Sequence, residues 1–175
     1  MACTLNTGWS LGCRDNTGGI KRVLICAFTS NRTYTYNGTG LVLTGDSTSA
    51  DATQTFYEFE QTSEVAEFTQ EGAHSIENGT NFWNQNVNLV FHKYQASVRD
   101  LVFVLAQKEV TIIIEDQNNK YFLIGEVNGA NLVKSTGNAG KAYGDMNGST
   151  ISFLAKEPTL ARECDAAYIA SITIV

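Results

Sequence analysis

The sequence predicts a mainly β fold, an antiparallel barrel or sandwich with one α-helix against it. Three observations lead there. Polar and apolar residues alternate through residues 81–94, where Trp83, Val87, Leu89 and Phe91 share one face and Asn84, Asn86 and Asn88 the other. Asn-Gly pairs, which accept the positive φ of tight turns, recur at Asn37, Asn78, Asn128 and Asn147. Only residues 96–107 space apolar side chains for a helix, with Val98, Leu101, Val102 and Leu105 at i, i+3, i+4 and i+7.

The elements follow in order. Residues 1–19, rich in Gly, Thr and Asn, read as an N-terminal arm in which Trp9 and Leu11 stand isolated. Residues 20–29 (IKRVLICAFT) are β-branched and apolar, a first strand. Residues 33–36 and 41–43 flank Asn37-Gly38 as a hairpin, and residues 44–54, without periodicity, read as a mobile loop. Residues 55–61 (TFYEFEQ) alternate, and an acidic stretch at 64–71 leads to the Asn78-Gly79 turn. After the long strand at 81–94 comes the helix, with Ser97 and Asp100 in a capping arrangement. Residues 109–115 and 121–127 are apolar on both faces, so they must be covered on both sides. A Gly-rich loop at 137–148 precedes a strand at 149–155. Beyond Pro158, the only proline, residues 168–175 (YIASITIV) read as a final strand needing a partner in its own sheet or another subunit. The organisation is thus an arm (1–19), a body (20–157) and a C-terminal extension (158–175).

At 175 residues and 43% apolar content the chain suits one domain with a real core. A net charge of −6 argues against a surface built to grip phosphates. The charge is uneven: residues 33–92 hold no Lys or Arg, yet carry Asp46, Asp51, Glu58, Glu60, Glu64, Glu67, Glu71 and Glu77. The first residues lack a basic stretch followed by an apolar one, so cytoplasmic synthesis is expected. The Asn-X-Ser/Thr triplets at Asn31, Asn37, Asn78 and Asn147 then read as turn chemistry, not glycan sites. In a reducing compartment Cys3, Cys13, Cys26 and Cys164 are expected to remain thiols, although Cys3 with Cys13, or Cys26 with Cys164, could pair. No Cys or His spacing suits zinc, and no cofactor or metal is expected.

Catalytic chemistry finds little support. His74 and His92 have no nucleophile placed beside them in sequence. Glu58 and Glu60 have a glycosidase-like pairing but read better as a solvated acidic face. Gly137, Gly140, Gly144 and Gly148 fit no phosphate-cradling pattern. The expectation is a structural protein, not an enzyme.

Several segments carry a family likeness: MACTL with Cys13-Arg14-Asp15 and Gly18-Gly19-Ile20-Lys21; Ser75-Ile76-Glu77-Asn78-Gly79-Thr80; Glu115-Asp116-Gln117-Asn118; and Gly144-Asp145-Met146-Asn147-Gly148 running to Lys156-Glu157-Pro158. With them the chain resembles the tail tube proteins of tailed bacteriophages, in the version of Bacteroidetes and marine phages. That resemblance implies a tail-tube β-barrel or sandwich whose subunits form rings, hexameric in the family, stacked into a conduit for DNA in the virion tail. It implies self-association, contact with other tail proteins, and DNA passing without specific binding. Candidate lumen residues are Glu58, Glu60, Glu64, Glu67, Asn84, Asn86 and Asn88. Candidate inter-subunit residues are Trp9, Ile112, Ile114, Phe122, Ile124, Tyr168 and Ile169. The alternatives are another ring-forming virion component (a connector, hub or terminator) and, from a different class, a soluble carbohydrate-binding β-sandwich using Trp9, Trp83 and the tyrosines.

Overall fold

A computed structural model describes residue 8, residues 15–48 and residues 55–175. Trp9, Asp51, Cys3 and Cys13 lie outside the described residues. Among the described residues twelve strands and two helices run in the order β1 (Ile20–Ala27), β2 (Arg32–Tyr36), β3 (Val42–Thr48), β4 (Thr55–Glu60), β5 (Glu67–Ser75), β6 (Thr80–His92), α1 (Ala96–Leu105), β7 (Val110–Asp116), β8 (Tyr121–Ile124), β9 (Ala130–Asn138), β10 (Gly148–Glu157), β11 (Arg162–Cys164), α2 (Ala166–Ser171) and β12 (Thr173–Ile174). The fold is mainly β with α1 on its flank, as the periodicities predict, and α2 is a second helix they do not predict.

The strands form two layers joined at a corner. The first layer runs β2-β3-β11-β8-β7-β1-β4, and the second β9-β10-β6-β5. β7 pairs with β1 along its length and with β8 at Ile112–Glu115, but it meets β9 only where Val110 faces Ala130. β9 then leaves the first layer and pairs with β10. The corner between β8 and β9 is built from Gly125 and Gly129, both with positive φ. At Gly125 a Cβ would lie 2.8 Å from the Ala130 nitrogen, so only glycine fits. The buried Glu157 carboxylate accepts from the Asn128 backbone N–H at 2.9 Å and from that of Val127 at 3.2 Å. Burial pushes the Glu157 carboxyl above its ordinary value, although these two donors pull the other way. Gln85, also buried, accepts from the Gly125 N–H and donates to the Thr159 carbonyl, tying β6 to the corner.

Two cores result. The first lies between the layers, where Val23, Ile25, Ile112, Ile114 and Ile124 meet Val87, Leu89, Ile151 and Phe153, with Leu101, Val102 and Leu105 of α1 closing one side. The second lies on the outer face of the first layer, where Leu24, Cys26, Leu43, Phe56, Ile113, Leu123 and Cys164 are covered by Tyr168 and Ile169 of α2. This accounts for the strands that are apolar on both faces: the chain itself supplies both covers. Ile112, Ile114 and Ile124, expected at a subunit boundary, are instead buried in the first core. Phe122 packs against that core. Tyr168 and Ile169, expected likewise, are buried in the second.

Other expectations change as well. Residues 44–48, read as loop, complete β3, whose hairpin with β2 sets Tyr34 opposite Asp46. Residues 130–138 form β9, and only the part after Asn138 is a loop. Helix α1 starts after Gln95, which is extended and makes no side-chain cap, so Ser97 does not cap it. Residues 166–171 are a second helix, capped by Asp165 accepting from the Ala167 N–H at 3.3 Å. The C-terminal residues find their partner in their own sheet: β12 pairs parallel with β4, and the Val175 N–H donates to the Phe56 carbonyl at 2.9 Å. Cys26 and Cys164 are both free and buried in the second core. Burial pushes their thiols up, to about 11 and about 12 respectively.

Candidate functional site

The strand registers define an organised polar surface on the outer face of the second layer. Along β6 and β10 the odd-numbered residues point into the first core, and the even-numbered ones therefore point outward. Cross-strand pairing arranges them in rows. One row is Glu71, Asn84 and Lys156; the next is Thr69, Asn86, Leu154 and Asn131. A third is Glu67, Asn88, Ser152 and Lys134, and a fourth Val90, Thr150 and Thr136. Within the third row Asn88 Nδ2 donates to Glu67 Oε2 at 3.2 Å. Asn84 Oδ1 is closed off from solvent and accepts no hydrogen bond among the described residues. The face is thus mostly amide and hydroxyl, with carboxylates along β5 and ammonium groups on β9 and β10.

Among the described residues both edges of this layer are open: β5 pairs only with β6, and β9 beyond Ala130 pairs only with β10. Beyond Trp83, moreover, β6 has no partner among them but β5, because the β10 pairing ends where Glu157 faces Trp83. The β5–β6 hairpin therefore projects past the sheet, and Ile76 at its turn is fully exposed.

Four of the expected lumen residues, Glu67, Asn84, Asn86 and Asn88, meet on this face. The others do not join them. Glu58 and Glu60 sit in β4, on the face of the first layer that carries Leu24 and Arg22, and Arg22 Nη1 lies 3.3 Å from Glu58 Oε2. They belong to the first layer, so the register does not place them on one face with Asn84, Asn86 and Asn88. Glu64 sits in the turn before β5 with a φ of 65°. Thr69, Glu71, Val90, Asn131, Lys134, Thr136, Thr150, Ser152, Leu154 and Lys156 complete the face, and of these only Glu71, within the acidic run, stands out in the sequence. In β10 a signal was present, because Thr150, Ser152 and Lys156 alternate with Ile151, Phe153 and Ala155, although Leu154 interrupts the pattern.

The structure does not bring the two histidines together. His74 Nδ1 lies 2.7 Å from Asn81 Oδ1, and its ring stands edge-on to Trp83, with centroids 5.3 Å apart. His92 is exposed at the end of β6, distant in register from His74. Among the described residues no group of three or more His, Cys, Asp or Glu could hold a metal ion. No helix is long and apolar enough to cross a membrane.

The strongest charge constellation is structural. Glu115, buried in β7, takes Lys21 Nζ at 2.8 Å and also Arg22 Nε. A register shift between Ile20 and Arg22 lets adjacent residues reach the same carboxylate. No known protein family matches this sequence, and no curated protein or solved structure is similar to it.

Proposed function

We propose that this protein is a tail tube subunit of a tailed bacteriophage, a non-enzymatic virion component whose copies form rings that stack into a conduit for DNA. The observation that carries the reading is the second layer itself: a four-stranded sheet with one face in the core, a polar outer face, and edge strands unpaired among the described residues. Open edges invite pairing with another chain. Because neighbouring strands in β9-β10-β6-β5 alternate in direction, β9 of one copy and β5 of the next would meet antiparallel. The sheet can therefore continue from copy to copy with no break in its hydrogen-bond pattern.

The chemistry of the outer face suits a passage. Amides and hydroxyls are wetted without attracting phosphates, and Lys134 and Lys156 are matched by Glu67 and Glu71. A duplex moving along such a wall meets no cluster of cations to grip it. The role of the acidic run accordingly narrows to Glu67 and Glu71, and Glu58 and Glu60 drop out of the wall.

Electron microscopy of the purified protein tests the reading. Long tubes of stacked rings are the expected outcome. Discrete rings alone would favour a connector, hub or terminator, and a protein that stays monomeric at high concentration would overturn it.

A further inference from the structure

Several exposed large apolar side chains gather in one region: Tyr94, Phe103, Val104, Tyr143 and Met146 lie on segments that adjoin the His92 end of β6, while others such as Leu41, Val127 and Leu160 lie elsewhere. Tyr94 and α1 follow directly from β6. The loop holding Tyr143 and Met146 joins β9 to β10 where Gly148 faces His92. Beside α1 a groove of about 570 Å³ opens between Leu101, Val104 and Leu105 on one side and Tyr57 and Phe59 on the other, with Lys108 at its margin. Lys93 and Lys108 make no ion pair among the described residues. Clustered exposed apolar surface of this kind marks an interaction site.

The other end of β6 carries the complementary shape. The β5–β6 hairpin projects there, with Ile76 bare at its tip and Glu77 beside it. Along the 13 residues of β6 the two ends stand roughly 40 Å apart at the rise of an extended strand. The hairpin is too far from α1 to fold back onto it within one chain. Its two strands lie wholly within the stretch that lacks Lys and Arg, so what it presents is apolar and acidic.

We propose that the β5–β6 hairpin tip of one copy seats in the α1 groove of a second copy stacked end to end with it. Ile76 enters between Leu101 and Val104, and Glu77 faces Lys108. The contact is heterologous, with different patches on the two copies, so it propagates along an axis instead of closing after two. It rests on the ring-and-tube reading and names the axial contact within it.

Three variants and a cross-link test this. Ile76→Asp lies in an exposed turn and should leave the circular dichroism spectrum unchanged, while long tubes give way to unstacked rings. Glu77→Lys should raise the protein concentration at which tubes appear several-fold, and adding Lys108→Glu should restore it. In the cross-linking arm, Ile76→Cys combined with Val104→Cys should give, on oxidation, a ladder of covalent multimers that neither single variant gives. If wild-type tubes form and every variant forms them equally, with no ladder, the axial contact is wrong while the tube reading stands. If the wild type never associates, both are wrong.

Discussion

At the scale of single residues, the buried Glu115 carries the largest electrostatic commitment in the fold. Burial alone would raise its carboxyl. The hydrogen bonds from Lys21 and Arg22, and their charges, outweigh that and hold it below its ordinary value. Removing a buried partner from such a cluster costs more than the pair contributes, because the remaining charges lose their counter-ion. Glu115→Ala should therefore destabilise the unassembled chain by on the order of 3 kcal/mol, read as a drop in the urea midpoint. The pH dependence has a fixed sign. The unfolded carboxyl titrates near the ordinary value of about 4.3 and the folded one lower, so the stabilisation is complete above that value and fades as acid titrates the folded group. Glu115→Gln should flatten the loss of stability on acidification below about pH 4. Tyr36 and Arg162 converge in a similar way on Glu126, with the Arg162 guanidinium 4.1 Å above the Tyr36 ring. None of these pairings could be read from the sequence, because they join residues far apart along the chain, 93 positions for Arg22 with Glu115 and 90 for Tyr36 with Glu126.

At the scale of elements, the second helix decides how the C-terminal segment works. Residues 168–175 are β-prone by composition, and an isolated reading makes them a strand. Asp165 starts a helical turn instead, and burial of Tyr168 and Ile169 over Leu24, Cys26 and Leu123 repays it, a tertiary override of local propensity. β9 was missed for a related reason. Its sequence ANLVKSTGN has one exposed edge and one wet face, so it lacks the alternation of a half-buried strand. β6 and β1, by contrast, were legible because packing enforces their periods: one face of β6 and both faces of β1 are buried. The α2 packing separates two effects in one helix. Ile169→Ala opens a cavity in the second core and should cost about 2–4 kcal/mol. Tyr168→Phe deletes a buried hydroxyl that has no hydrogen-bond partner among the described residues, so it should be neutral or stabilising by up to about 1 kcal/mol. Urea denaturation of the two variants side by side checks the pair, and a large loss in Tyr168→Phe would mean the hydroxyl is satisfied.

For the whole molecule the question is how one sheet could become a closed wall. The three asparagines of β6 and Glu67 were visible as an amide-bearing strand face beside an acidic run. The remaining wall residues were not, because membership depends on which strands pair with β6. Once the register is known, charge distribution across the sheet becomes informative. The row that begins with Glu67 on the open edge of β5 ends with Lys134 on the open edge of β9. If copies join edge to edge without stagger, a carboxylate of one meets an ammonium of the next at every join. An exposed pair of this kind contributes up to about 1 kcal/mol, so replacing attraction by repulsion in Lys134→Glu should raise the concentration threshold for assembly by roughly five-fold or more at low salt. The combination of Lys134→Glu with Glu67→Lys restores opposite signs and should return the threshold to that of the wild type, and high salt should shrink every difference. Light scattering against protein concentration measures the threshold. A Lys134→Glu protein that assembles like the wild type at low salt would mean that the join lies on other strands or in another register.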